Sequence, residues 1–249
     1  MRFKSTLLGA AMIAAMTFGG CSDSPTGLPG SEVLVGDTIP LGQGMVRVWE
    51  QTDDNGNLAA VGLTFTEATL QGLPHETQQF SMMLPQKAAH SPFVHVLFDW
   101  NPHGHEPPGT YDTPHFDFHF YLTSPEERMA TIPGPDTIAV NPDYIPRDYF
   151  STGASVPNMG THWLDAHTPE LNGQPFDKTF IYGFYRGHMT FLEPMITKAF
   201  FESNPDVTVP IKQPAKFEKT GMYYPADYRI TYDAQNKEYS VILDAMAMK

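Results

Sequence analysis

Apolar and polar residues alternate with a period of two through much of this chain, the spacing of strands that bury one face. Residues 44–52 and 58–65 alternate on either side of Asp53-Asp54-Asn55-Gly56, which predicts a β-hairpin. Residues 66–73 read as a short helix, with Thr66 as cap and Gly72 near its end. Strands are expected over 77–84, 93–100 and 115–121. A further hairpin is expected from 179–185 and 188–194 around Arg186-Gly187, and a last one from 228–232 and 239–243. A short helix is expected at 197–203. Residues 123–161 are rich in Pro, Gly and Asp and show little periodicity. They read as a long loop with one helical turn around 125–129, a length that suits a segment covering a site or making an interface. The sum is a mainly β chain of antiparallel hairpins, closed as a barrel or packed as a sandwich, with short peripheral helices.

The strand at 115–121 carries the most chemistry. In His115-Phe-Asp-Phe-His-Phe-Tyr121, the residues His115, Asp117, His119 and Tyr121 share one face and three phenylalanines share the other. It closes a stretch, Asn101 to Tyr121, that holds four of the ten histidines: His103, His105, His115 and His119. A lone histidine on a polar strand face is ordinarily solvated or satisfied. Four within 17 residues, two of them on one face with an Asp, point to metal. Neighbours on that face are about 7 Å apart, so an adjacent pair (His115 with Asp117, or Asp117 with His119) bridges an ion more easily than His115 with His119. His103 and His105 sit among Pro102, Gly104, Pro107 and Pro108, hence on a loop able to fold over the strand.

In the 188–194 strand, Met189, Phe191 and Glu193 are expected on one buried face. An inward Glu193 is costly unless paired or metal-bound, which makes it a better ligand candidate than His188. His162, between Thr161 and Trp163, would tie the second half of the chain to the site. His75, His90 and His95 lack acidic or His neighbours and read as structural, and His167 as solvated.

Composition narrows the chemistry. The chain has 249 residues, with 41% hydrophobic and 12% aromatic content, enough for a sizeable core. Cys21 is the only cysteine, so a metal would be held by His, Asp and Glu, and a thiolate nucleophile is excluded from the folded domain. The 13 methionines are scattered and fit core packing better than copper binding. No nucleophile elbow, zincin helix, phosphate-binding glycine loop or dinucleotide fingerprint is present.

The N-terminus reads as an address. Arg2 and Lys4 precede an apolar run over residues 7–18, and Phe18-Gly19-Gly20-Cys21 resembles a bacterial lipobox with Phe18 where Leu is usual. Cleavage before Cys21 and lipidation of its thiol would tether the protein to a membrane. Ser22 at the next position resembles an outer-membrane sorting signal. The expected organisation is a lipoprotein signal peptide over 1–20, a flexible tether over 21–36 and one β-rich domain over 37–249. Removing residues 1–20 takes away Arg2 and Lys4 and no acid, moving the net charge from −13 to −15. Such a surface repels nucleic acid, and a nucleic-acid partner is not expected.

Taken together, Trp100-Asn-Pro-His-Gly-His-Glu-Pro-Pro-Gly109, Pro114-His-Phe-Asp-Phe-His-Phe-Tyr121, Met159-Gly-Thr-His-Trp163 and Glu193-Pro-Met195 resemble a bacterial domain-of-unknown-function family. The family is named after a hypothetical protein of a thermophilic Thermus bacterium. The resemblance spans most of residues 40–200 and carries no established activity. It implies that His105, Glu106, His115, Asp117, His119, His162 and Glu193 belong to the family pattern and that His103 and His188 do not.

The expectation is a lipid-anchored, extracytoplasmic protein with a His/carboxylate site for a divalent metal. Zinc comes first, with Mn, Fe, Ni and Cu allowed by the same ligands. His115, His119 and His162 are the favoured ligands, with Glu193 or Glu106 as oxygen donor. An open coordination position would make it a hydrolase or lyase with Glu106 as general base. The competing expectation is a non-catalytic envelope-stress or ligand-binding protein whose His cluster is a structural site. The small-molecule or protein partner is not identified by the sequence.

Overall fold

The computed structural model describes residues 31–249, so the expected signal peptide, Cys21 and most of the expected tether lie outside the described residues. In chain order the strands begin with β1 (Glu32–Leu41), β2 (Gly44–Thr52), β3 (Leu58–Thr66), β4 (Gln78–Met83), β5 (His95–Asn101) and β6 (His115–Tyr121). Helix α1 (Pro125–Met129) follows, then β7 (Gly134–Pro135), β8 (Tyr149–Val156), β9 (Gly160–Asp165), β10 (Lys178–Tyr185) and β11 (His188–Thr197). Helix α2 (Lys198–Glu202) leads to β12 (Asp206–Pro210), β13 (Tyr223–Asp233) and β14 (Glu238–Met248).

Two antiparallel sheets result. One has six strands in the order β1-β2-β3-β14-β13-β12, and the other has eight in the order β4-β5-β6-β11-β10-β9-β8-β7. They pack as a sandwich, because the inner faces of both are apolar and share one core. Val48, Leu63, Phe65, Val241 and Leu243 come from the first sheet, and Phe98, Phe116, Phe118, Phe120 and Leu192 from the second. Phe65 meets Phe116 across the gap at 5.9 Å and Phe180 meets Tyr228 at 5.3 Å.

The predicted hairpins form as expected. The turn residue Asp53 explains the first, since its Oδ1 accepts from the backbone N–H of Asn55 and Asn57. The helical turn at 125–129 is α1, closed by a capping box between Ser124 and Glu127. Three expectations need correction. The stretch read as a loop over 123–161 contains β8 and the start of β9. In β8 the apolar Phe150 and Val156 are exposed while Ser155 is buried, so apolar alternation does not mark the strand. The helix expected over 66–73 is a four-residue 3-10 turn, Glu67–Leu70. Strand β12, for which the sequence carries no expectation, lies at a sheet edge where its proline is tolerated. Strand β1 begins at Glu32, inside the stretch read as tether, because it pairs with β2 from Glu32↔Thr52 onward.

A bulge overturns the expected face of Met189. Between Gly183/Phe184 and their partners the register shifts, with Gly183 opposite Phe191 and Phe184 opposite Met189. Thr190 is the extra residue, so Met189 turns into the inter-sheet core while Phe191 and Met195 face outward with Glu193.

Candidate metal centre

The outer face of the eight-stranded sheet is not a solvent face. His115, Asp117, His119 and Tyr121 on β6 are all buried, as are His95, Leu97, Asp99 and Asn101 on β5. Two connections cover them. Tyr111, between β5 and β6, and Phe176, before β10, pack edge to face at 4.9 Å, and Phe176 meets His115 at 5.4 Å. The Tyr111 hydroxyl donates to Glu170 Oε1 at 3.3 Å, joining the two covers. Gly104 makes the first connection possible. It sits at φ +69°, and an added Cβ would lie 1.9 Å from the Tyr111 carbonyl oxygen.

Register sets the layout of this floor. One cross-strand row runs His95, Tyr121, Phe191, Gly183, His162. In the next, Leu97 lies opposite His119 and Ile181 opposite Glu193. In the one after, Asp99 lies opposite Asp117, which lies opposite Met195. Gly183 leaves room for the Phe191 ring, which contacts both His119 (4.9 Å) and His162 (5.1 Å).

The side chains form two separate triads. His119, His162 and Glu193 make one, and His105, His115 and Asp117 the other, each with ligand atoms within 4.8 Å of one another. In the first, His119 Nε2 lies 3.2 Å from Glu193 Oε1, and His162 Nε2 lies 3.6 Å from Glu193 Oε2. His119 Nε2 and Glu193 Oε2 are nevertheless buried without a hydrogen bond. Close approach without hydrogen-bond alignment is what two ligands of one ion show, since each lone pair aims at the ion and not at its neighbour. Ligands ~2.0–2.1 Å from a tetrahedral ion lie about 3.3 Å apart, which matches these spacings.

Second contacts orient the rings. His119 Nδ1 faces the Leu97 carbonyl at 3.4 Å, which assigns the proton to Nδ1 and leaves Nε2 with its lone pair toward Glu193. Burial drops the His119 imidazole to about 3 and that of His162 to about 4, so both are neutral, the form that ligates. Burial, with the Asp117 and Asp99 charges adding to it, pushes the Glu193 carboxyl well above the usual range. A cation would offset that cost, and the orphaned atoms show where one fits.

The structure answers the question of spacing on β6. His115 and His119 do not serve one triad, and the adjacent pair His115 and Asp117 meets instead, with His115 Nε2 3.1 Å from Asp117 Oδ1. The single set His115, His119 and His162 is therefore corrected to two sets. Glu106 is exposed and belongs to neither; only its backbone oxygen is used, facing His105 Nδ1 at 2.7 Å. His103 is exposed and outside both, and His188 is exposed and pairs with Glu218. His95 stacks on Tyr121 at 4.7 Å, a packing role as expected.

Asp99 is the residue that sequence reasoning missed. It is buried beside Asp117, its Oδ2 accepts from Gln79 Nε2 at 3.1 Å and lies 4.0 Å from His119 Nδ1, and its Oδ1 has no partner. Burial, then the Asp117 charge, raises its carboxyl well above the usual range. The signal was present: His95, Asp99 and Asn101 alternate with Val96, Phe98 and Trp100, so β5 has the same two-faced pattern as β6.

Residues 53–100 match the TTHB210-like family, described as Hypothetical protein TTHB210. This is the family that the histidine and carboxylate motifs resemble. The matched stretch is shorter than the 40–200 resemblance. It runs from the β2–β3 turn to Trp100, so it includes His95 and Asp99 and stops before both triads. No curated protein and no solved structure matches the chain.

Proposed function

We propose that the protein is a metal-binding protein of the cell envelope, lipid-anchored through Cys21, with a divalent ion on His119, His162 and Glu193. The observation that carries the metal reading is the convergence of two neutral imidazoles on a buried carboxylate whose facing atoms make no hydrogen bond. Zinc is the first choice for such nitrogen and oxygen ligands, and iron, manganese, nickel and copper share the ligand preference. Three ligands leave a coordination position for water, the arrangement of hydrolytic and lytic metal sites. In that reading Glu106, exposed and outside the triad, is not the base, and Asp99, 4.0 Å from His119 Nδ1, faces the side of the ring turned away from Glu193 and helps to orient that ligand.

A second reading is a closed structural site. It draws support from burial, since His119 and Glu193 are each 1% exposed. Elemental analysis of the purified protein is expected to find at least one equivalent of a first-row metal after dialysis. X-ray absorption of the same sample should show three protein ligands and a water. Four protein ligands would turn the reading to the structural one, and an absence of metal after growth in metal-replete medium would end both.

The anchor is tested independently. Cys21→Ser is expected to move the protein from the membrane fraction to the soluble fraction, with metal content unchanged. Retention in the membrane fraction would remove the lipoprotein reading.

A further inference from the structure

The geometry points to a second cation site, independent of the first, formed by His105, His115 and Asp117. All three side chains are oriented by contacts of their own. His115 Nδ1 faces the Thr113 carbonyl at 2.6 Å and His105 Nδ1 faces the Glu106 carbonyl at 2.7 Å, so each Nδ1 donates and each Nε2 keeps its lone pair. Both Nε2 atoms turn toward Asp117, at 3.1 Å from Oδ1 for His115 and 3.4 Å from Oδ2 for His105. Asn101 Nδ2 donates to Asp117 Oδ2 at 2.8 Å and fixes the carboxylate plane. Ligating imidazoles held by backbone carbonyls and a ligating carboxylate held by an amide are what metal sites use to set ligand direction.

The orphaned atoms mark the ion's place. His115 is fully buried, its Nε2 makes no hydrogen bond, and the Asp117 Oδ1 beside it makes none either. An ordinary histidine–aspartate pair would align N–H with oxygen at that distance. This pair does not, which is the arrangement of two groups sharing a third partner.

The two triads take separate ions. The ligand atoms fall into two groups, each within 4.8 Å, and no residue belongs to both, so each group addresses its own ion. The sites also differ in access. The first triad is covered, with His162 its most open member at 16% side-chain exposure. In the second, His105 comes from the β5–β6 connection and its side chain is 39% exposed. Two imidazoles and one carboxylate without thiolate select a first-row divalent ion such as zinc or cobalt. The exposed ligand on a connection makes this the exchangeable site of the two, since its departure opens the coordination shell without disturbing the sheet.

The test is titration of the chelator-stripped full chain with Zn²⁺ by calorimetry and with Co²⁺ by visible absorption. Two equivalents are expected, the second bound about tenfold or more weakly, equivalent to ~1.4 kcal/mol. His105→Ala removes the weaker equivalent and leaves the tighter one, and His115→Ala does the same if it folds. Because His105 is exposed on a connection, its variant keeps the far-ultraviolet circular dichroism of the parent. Two equivalents in His105→Ala, or one in the parent that Glu193→Gln abolishes, would overturn the second site while leaving the first. One equivalent that His105→Ala abolishes and Glu193→Gln does not would support the second site and refute the first.

Discussion

Glu193→Gln is expected to empty the first metal site while leaving the metal-free fold as stable as the parent. Glu193 is 1% exposed and is the oxygen donor on which His119 and His162 converge. The amide keeps the volume and one carbonyl oxygen but loses the negative charge that draws a divalent ion into a desolvated site. Removing a group that only orients a ligand typically lowers metal affinity about 10–100-fold, so removing a ligand's charge should cost roughly 100-fold or more. Without the ion, burial holds the Glu193 carboxyl well above its usual range and favours the neutral acid, which glutamine resembles closely. The metal-free variant should therefore unfold in urea within about 1 kcal/mol of the metal-free parent. With zinc present the parent alone gains stability, by about 2.7 kcal/mol at a free metal concentration ~100 times its dissociation constant. A variant that retains the tighter equivalent, or a parent that gains nothing from zinc, would remove Glu193 from the site.

The second large effect is on the core. Phe116→Ala should cost about 3–5 kcal/mol, because the ring is fully buried and the surrounding structure collapses only in part. Phe116 is held between both sheets by aromatic neighbours. Phe65 lies at 5.9 Å, Phe98 stacks at 5.6 Å, Trp100 lies at 4.6 Å and Phe201 meets it edge on at 5.9 Å. A total stability of about 5–15 kcal/mol is usual for a domain, so the variant should remain folded with a much lower urea midpoint and an unchanged slope. The effect should reach the chemistry, since Phe116 is the residue between His115 and Asp117 and anchors that part of β6 from behind. Weaker binding at the second site than at the first would accompany the loss of stability. A cost below about 1 kcal/mol would mean that this cluster is loosely packed.

Much of the architecture was legible in local pattern. The alternation in 115–121 placed three phenylalanines against the first sheet and two histidines with an aspartate on the other face, as found. The turn Asp53-Asp54-Asn55-Gly56 and the helical turn at 125–129 announced themselves because their hydrogen bonds close within three or four residues. Glu193 was singled out as an acid that faces inward from an apolar strand, and it is buried. The chemistry was legible as a set of residue types, in that one cysteine near the N-terminus and ten clustered histidines left imidazole and carboxylate as the only ligand class.

What failed was everything that depends on which strand lies beside which. The bulge at Thr190 turned Met189 over, and an extra residue in one strand leaves no mark on the local pattern. Strands β8 and β9 escaped notice because β8 is mostly exposed and buries Ser155 while exposing Phe150 and Val156, and β9 is a six-residue strand whose burial does not follow an apolar alternation. Asp99 was overlooked since its neighbours in sequence are apolar, and its carboxylate partner is opposite it on β6, not next to it in the chain.

The sequence by itself determined the antiparallel hairpins, the two-faced character of β6 and the kinds of ligand available. The tertiary structure alone decided that the ligands fall into two triads. That division follows from cross-strand register, which brings Glu193 beside His119 and His162 within reach of both, and from a glycine-hinged connection that returns His105 over His115. Periodicity specifies the face on which a side chain lies. Only the pairing of distant strands specifies its neighbours, because those distances are set by the packing of the whole sheet.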